Sequence, residues 1–157
     1  MNIILRNATL QDLPIIQHVN NLLFEYETEN GFDNYISNWA LGEESAEYFS
    51  ELIQNQFVII AETEKEPVGY LAGSIYQDNT YSYYEGKTAE LENMLVVEKY
   101  RKFGIGSKLV NAFLKWCKDN SARRVLVTAT IGNETAISFY KKNGFKELNI
   151  TLKKELK

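Results

Sequence analysis

Arg101-Lys102-Phe103-Gly104-Ile105-Gly106-Ser107-Lys108 stands between the apolar run Leu95-Val96-Val97 and a segment whose residues Ile105, Leu109, Phe113 and Cys117 recur every four positions. The run reads as the end of a strand and the repeat as one face of an amphipathic helix, so the octapeptide is a strand-to-helix loop. Glycines let the backbone turn its N–H groups toward one point, and the start of the helix adds partial positive charge. Arg101, Lys102 and Lys108 add full charges, which makes the loop an anion cradle with a phosphate group as its expected guest. The order Gly-Ser-Lys separates it from a nucleotide P-loop, and Leu109 stands where a dinucleotide fingerprint needs a third glycine.

Outward from this loop the chain reads as one domain, without repeats or linkers. Ile3-Ile4-Leu5 makes a first strand, and Thr9 or Asp12 caps a helix carrying Leu13, Ile16, Val19, Leu23 and Tyr26 at helical spacing. That helix ends near Asn30-Gly31, and a second covers Glu43 to Ile53 with Ala46, Phe49, Leu52 and Ile53 inward. Phe57 to Ala61 is a buried strand, joined through a Glu64-Lys65-Glu66-Pro67 turn to a strand over Val68–Tyr76. A tyrosine-rich loop, Tyr81 to Lys87, leads into a long strand from Thr88 to Val97. After the glycine loop and its helix, Arg124 to Thr130 is a strand rich in β-branched residues. Asn133 caps a short helix that stops at Asn143-Gly144, and Phe145 to Leu156 alternates as a last strand. A hairpin in the first half and strand–helix–strand–helix–strand in the second give an α+β fold with a mixed sheet.

The 157 residues are 45% hydrophobic and 24% charged, an ordinary globular composition that excludes disordered and collagen-like chains. The net charge of −4 conceals an asymmetry. Residues 1–98 carry 17 acids against three bases, a balance of −14, whereas residues 99–157 carry 14 bases against four acids, a balance of +10. An anionic ligand on the basic side and a cationic one on the acidic side fit this division, although two solvated faces of opposite sign explain it as well. The basic half is accounted for by the phosphate cradle and the remainder would repel nucleic acid, so no nucleic-acid partner is expected. With one cysteine, Cys117, and one histidine, His18, neither a disulfide nor a His/Cys zinc site can form, and no metal is expected. The start lacks the pattern of a signal peptide, and no apolar stretch approaches a membrane span. A cytoplasmic chain with a reduced, buried thiol is the expectation.

Two stretches resemble a known family. Leu95-Val96-Val97 followed by Arg101-x-x-Gly104-x-Gly106 is similar to the pyrophosphate-binding motif of the GNAT N-acetyltransferases. Asn133-x-x-Ala136-x-x-Phe139-Tyr140-x-x-x-Gly144-Phe145 resembles the second acetyl-CoA motif of that superfamily. Within it, Leu91-Glu92-Asn93-Met94-Leu95-Val96 and Tyr100-Arg101-x-Phe103-Gly104-Ile105-Gly106-Ser107 look most like diamine and polyamine acetyltransferases, a likeness confined mainly to residues 87–145. The resemblance implies a single acetyltransferase domain over residues 1–157. Its sheet would be mostly antiparallel, flanked by about four helices and splayed between the fourth and fifth strands.

The resemblance also implies roles. Met94, Leu95 and Val96 would pair with the pantetheine arm of acetyl-CoA like an added strand, one N–H polarising the acetyl carbonyl. Arg101, Lys102, Phe103, Gly104, Ile105, Gly106 and Ser107 would hold the pyrophosphate, and Asn133 is both a helix cap and a cofactor contact. Tyr140 would be the acid: a phenol, pKa about 10, can protonate or hydrogen-bond a departing thiolate of pKa about 8.5. The acceptor would be a primary amine, of which about one molecule in 2,500 is neutral at pH 7, a deficit of roughly 4.6 kcal/mol. A base must therefore remove a proton; Glu92 matches the glutamate proposed in the polyamine enzymes, with Glu90 two residues earlier as a helper on the same strand face. Where many relatives carry a carboxylate on the fifth strand, Thr128 stands here. Tyr26, Glu27, Glu29, Asp33 and the Tyr81–Tyr84 loop are candidates for meeting a cationic amine. A small amine such as a polyamine is the expected acceptor, with an aminoglycoside, a protein or peptide amine, or a non-catalytic acyl-CoA-binding role as alternatives. Homodimers are common among look-alikes, but no residue pattern here marks one.

Overall fold

Phe57, Val58, Ile59, Ile60 and Ala61 are all buried, which an unbroken apolar strand achieves only when helices cover both faces of its sheet. The computed structural model describes residues 2–32, 38–64, 66–78 and 86–156. Asp33, Lys65 and the Tyr81–Tyr84 loop lie outside the described residues. Among the described residues five strands, β1 (Ile4–Asn7), β2 (Phe57–Thr63), β3 (Glu66–Asp78), β4 (Gly86–Val96) and β5 (Ala122–Val127), form one sheet in sequence order. The first three pairings are antiparallel and β4–β5 is parallel. The helices are α1 (Leu13–Glu29), α2 (Glu43–Asn55), α3 (Ile105–Asp119) and α4 (Glu134–Lys142). None is long and apolar enough to cross a membrane among the described residues.

Strand alternation sorts the core into two layers. Phe57, Ile59 and Ala61 pack with Leu109, Val110, Phe113 and Cys117 of α3. Val58 and Ile60 point the other way, to Ile16 and Val19 of α1 and Phe49 and Leu52 of α2. A Cβ on Gly73 of β3 would lie 2.5 Å from the Phe113 ring, so a glycine is what lets α3 seat against the sheet. The helix stripes expected at Ile16, Val19, Phe49 and Leu52 are the buried ones, and His18 is exposed.

Two irregularities of β4 shape everything near its C-terminal end. Ala72 of β3 faces Asn93 and the next residue, Gly73, faces Leu91, so Glu92 is an extra residue: a β-bulge. Before the bulge Ala89 and Leu91 face α3; after it Met94 and Val96 do. Glu92 and Asn93 consequently both turn toward α1 and α2. The parallel pairing with β5 runs from Lys87 to Leu91 and stops there, leaving Glu92–Val96 beyond the last paired residue, Val127. This is the splay between the fourth and fifth strands.

The last strand expected over Phe145–Leu156 does not form. Residues 146–156 carry no regular hydrogen-bonded structure and are exposed throughout, with Leu148, Ile150 and Leu152 at 64%, 77% and 90% exposure. The physical reason is that alternation alone does not make a strand; a neighbouring strand must supply the ladder, and none does so among the described residues.

At the opposite edge, Arg6 of β1 joins Asp12 (2.7 Å) and Glu62 of β2 (2.6 Å). The guanidinium holds the Asp12 carboxyl well below the usual carboxylate range, ahead of the opposing effect of burial. A depressed folded-state value means that this stabilisation is present above the unfolded pKa of about 4 and is lost as pH falls below it. Asp12→Asn is expected to lower the unfolding free energy by about 1–2 kcal/mol at pH 7, after allowing for the solvent-screened Arg6. Urea titrations at stepwise lower pH should show the gap to the parent narrowing below about pH 4.

Candidate active site

Lys102 and Gly104 adopt left-handed backbone angles, φ 68° and 76°, which turn the chain sharply from β4 into α3. Gly104 is the residue before the helix, and the first helical bond runs from the Lys108 N–H to its carbonyl at 3.1 Å. The N–H groups of Ile105, Gly106 and Ser107 precede that bond and have no carbonyl a turn earlier to receive them. They are the N–H groups that the expected cradle would offer an anion. Gly106 also sets how two helices meet. A Cβ there would come within 3.0 Å of the Phe139 ring of α4, so the glycine lets α4 lie against the start of α3.

A cavity of about 810 Å³ opens from this turn along the unpaired part of β4. Its walls take Met94, Leu95 and Val96 from β4 and Arg101, Lys102, Gly104, Ile105, Gly106 and Ser107 from the cradle. Tyr26, Glu92, Asn133, Tyr140 and Thr128 line it as well. Three expected residues stand apart, among them Glu29, which is exposed beyond the cavity wall at the end of α1. Phe103 is 61% exposed and off the cavity wall, because the turn at Lys102–Gly104 throws its ring outward. Glu90 lies on β4 away from the wall; burial first, and the Glu92 charge second, push its carboxyl upward.

Arg101 makes contacts the sequence does not display. Its Nε donates to the Val96 carbonyl at 3.0 Å, and its guanidinium lies 4.9 Å from the centre of the Tyr26 ring. The side chain therefore ties the end of α1 to the end of β4 while facing the cavity. Asn133 is buried; its Oδ1 accepts from the Ala136 N–H at 3.1 Å, capping α4. Tyr140 sits edge-on to Phe139 and Phe145. Burial, and then the charge of Glu27, push its phenol up to about 12, so it stays protonated far above neutrality. Glu27 of α1 also lines the cavity, close enough for its charge to act on Tyr140.

Glu92 is anchored by residues that sequence reasoning missed. The Tyr48 hydroxyl of α2 donates to its Oε2. Tyr48 accepts in turn from Asn93 Nδ2 at 2.9 Å, and Asn20 Nδ2 donates to Asn93 Oδ1 at 3.3 Å and to the Tyr70 hydroxyl at 2.9 Å. Asn20, wholly buried within the apolar stripe of α1, was the one available signal: a polar residue there needs polar partners. Tyr48 offered none, since a tyrosine beside Phe49 reads as core.

One cavity thus joins an anion cradle, a row of backbone groups on a splayed strand, two carboxylates and a protonated phenol. It can hold a phosphate-bearing chain against β4 and place an acid and a base at its reactive end.

Comparison with known proteins identifies the family and the fold. The model of the acetyltransferase (GNAT) family matches residues 18–145. An N-alpha-acetyltransferase of Sulfurisphaera tokodaii is 31% identical over 150 residues, covering 93% of this chain and 81% of that protein. Among solved structures, a tetramutant of the BH1408 protein of Bacillus halodurans superposes with a TM-score of 0.85 at 22% identity, covering 98% of this chain and 99% of that one. The aminoglycoside acetyltransferase AAC(6')-Iy, solved with a CoA-linked bisubstrate analogue, superposes at 0.77 and 16% identity over 100% and 99% of the two chains. These two likenesses concern the fold. By the family match over most of its length, the chain belongs to the GNAT acetyltransferase family and is an N-acetyltransferase.

Proposed function

We propose that the protein transfers an acetyl group from acetyl-CoA to the primary amine of a small cationic acceptor of the polyamine class, by direct attack in a ternary complex. The observation that carries this reading is the single cavity with the cradle of α3 in one wall and Glu27, Glu92 and Tyr140 in others. Acetyl-CoA, when bound, supplies the activated acetyl thioester. The free N–H groups at the start of α3 and the side chain of Lys102 suit its pyrophosphate, and the unpaired edge of Met94–Val96 suits its pantetheine arm.

Glu27 and Glu92 attract the ammonium, which gives one proton to Glu92, directly or through water, and so on to solvent before the neutral amine attacks; its second proton passes to Glu92 as the C–N bond forms. As the new C–N bond forms and the C–S bond breaks, Tyr140 gives its proton to the departing sulfur. A cysteine relay is disfavoured: Cys117 is buried in α3, and burial pushes its thiol up to about 12, leaving no thiolate to attack. The buried, reduced cysteine also supports a cytoplasmic site of action.

The name of the Sulfurisphaera relative favours a second acceptor, the α-amine of a polypeptide. Thiol release from acetyl-CoA, followed across spermidine, diamines, aminoglycosides and short peptides, decides between them. Spermidine or a diamine is expected to give the highest kcat/KM; a peptide ahead of both assigns the α-amine, and acetyl-CoA binding without transfer to any amine removes the catalytic reading.

Tyr140→Phe is expected to lower kcat by about 100-fold while leaving acetyl-CoA affinity within twofold. Because the phenol is raised, the acid form persists as pH rises. The parent rate should therefore climb with amine deprotonation up to about pH 10, without a falling limb from Tyr140. Stopped-assay pH profiles of both proteins check this.

We also propose a homodimer. Its support is the exposed alternation of Leu148, Ile150 and Leu152 together with β5, which is an edge strand of the sheet. Among its described residues each chain thus has an alternating apolar segment that pairs with nothing and an open sheet edge at β5, and two copies complement each other. Light scattering at tens of micromolar should give a dimer for the whole chain and a monomer for Leu148→Glu/Ile150→Glu/Leu152→Glu.

A further inference from the structure

We infer that Tyr48 is a positioning residue for Glu92, the end of a part-buried donor chain that fixes which carboxylate oxygen meets the acceptor. This rests on the reading of Glu92 as the group that handles the amine proton.

Every link in the chain points the same way. The Asn20 amide N–H donates to the Asn93 carbonyl, the Asn93 amide N–H to the Tyr48 oxygen, and the Tyr48 O–H to Glu92 Oε2. Each donation polarises the next donor, so the last bond, to a charged acceptor, gains most. The four residues come from α1, β4, α2 and β4 again, so the carboxylate is referenced to two helices and the sheet at once. The bulge is what makes this possible: on a regular strand Glu92 and Asn93 would face opposite ways and could not both reach Tyr48.

With Oε2 held by Tyr48, Oε1 is the oxygen that faces the acceptor nitrogen. The alternatives are that Tyr48 is packing alone or a substitute acid. Packing is real, since its ring meets Trp39 and Phe49, but packing does not explain a hydroxyl bonded on both sides. A role as acid is opposed by geometry: the Tyr48 hydroxyl proton is already given to Glu92 Oε2, and Tyr48 lies off the cavity wall on which Tyr140 stands. The chain has one unfinished end: Asn20 Oδ1 is buried without a partner among the described residues, although its amide N–H groups are both engaged. That oxygen is the acceptor side of the fixed amide, and it shows that Asn20 is oriented for its donors rather than for its own full satisfaction.

The test is a double-mutant cycle on the whole enzyme with acetyl-CoA and its best amine, scoring kcat, both KM values and Tm for Tyr48→Phe, Asn93→Ala, Glu92→Gln and Tyr48→Phe/Glu92→Gln. Tyr48→Phe is expected to reduce kcat about 10- to 100-fold with acetyl-CoA KM within twofold, as misplacement of a reacting group does. Asn93→Ala should follow in the same direction with a smaller loss. In the Glu92→Gln background the Tyr48→Phe change should cost less than threefold further, because its effect passes through the carboxylate. Full activity of Tyr48→Phe beside an impaired Glu92→Gln overturns the positioning role alone. Losses that multiply in the double variant, or a fall in kcat that merely tracks a fall in Tm, overturn it too. Full activity of Glu92→Gln instead overturns the base reading, and the positioning role with it.

Discussion

The β4–β5 ladder stops at Leu91, and nearly every functional feature depends on that stop. Had pairing continued, the backbone groups of Glu92–Val96 that point away from β3 would be taken up by β5 and no cavity would exist between the strands. Instead the strand is held on one side by β3 alone, along Gly69–Ala72, and presents its other side to the cavity. The residues that bracket this gap are those that keep it open. Arg101 ties the end of β4 to α1, and α4 rests against the first turn of α3 through Gly106 and Phe139. The bulge adds a second consequence from the same strand, turning Glu92 and Asn93 together toward the helices that organise them.

The division of charge along the chain acquires a physical meaning in this geometry. The acidic half supplies β1 to β4 with α1 and α2, and hence Glu27 and Glu92; the basic half supplies the cradle, α3 and α4. Both halves contribute walls to one cavity, so two solvated faces are not a sufficient account of the asymmetry. A field that runs from positive to negative along one cavity orients a ligand as well as attracting it. Phe103 and Glu90 show that a position inside a motif does not by itself place a residue on the wall.

Helix stripes, the buried β2 strand and the glycine loop were legible because each is a local pattern with one physical interpretation. Ile16 and Val19 recur at helical spacing, and Phe57–Ala61 has no polar break, so packing and pattern agree. What could not be read was set by tertiary pairing. The bulge at Glu92 leaves no mark in composition, because it arises from the register of β3 against β4. The face shared by Glu90 and Glu92 followed from parity, whereas the shared orientation of Glu92 and Asn93 violates parity and was invisible. The segment after Phe145 failed for a related reason. Its alternation is genuine, but a strand is a relation between two segments, and the described residues of this chain hold no second one for it.

The contact between Gly106 and Phe139 has a thermodynamic corollary. The helix terminus proposed to receive an anion and the helix that carries Tyr140 share a surface so tight that even a methyl group on Gly106 would press on the Phe139 ring. Neither helix can therefore loosen without disturbing the other. A ligand that binds only the ordered form of the cradle withdraws population from every state in which α4 is loose, by mass action alone. Occupancy of the proposed phosphate site and rigidity of the Tyr140 helix are in this sense one equilibrium, so the proposed proton donor would be most firmly placed when a donor substrate is present to need it.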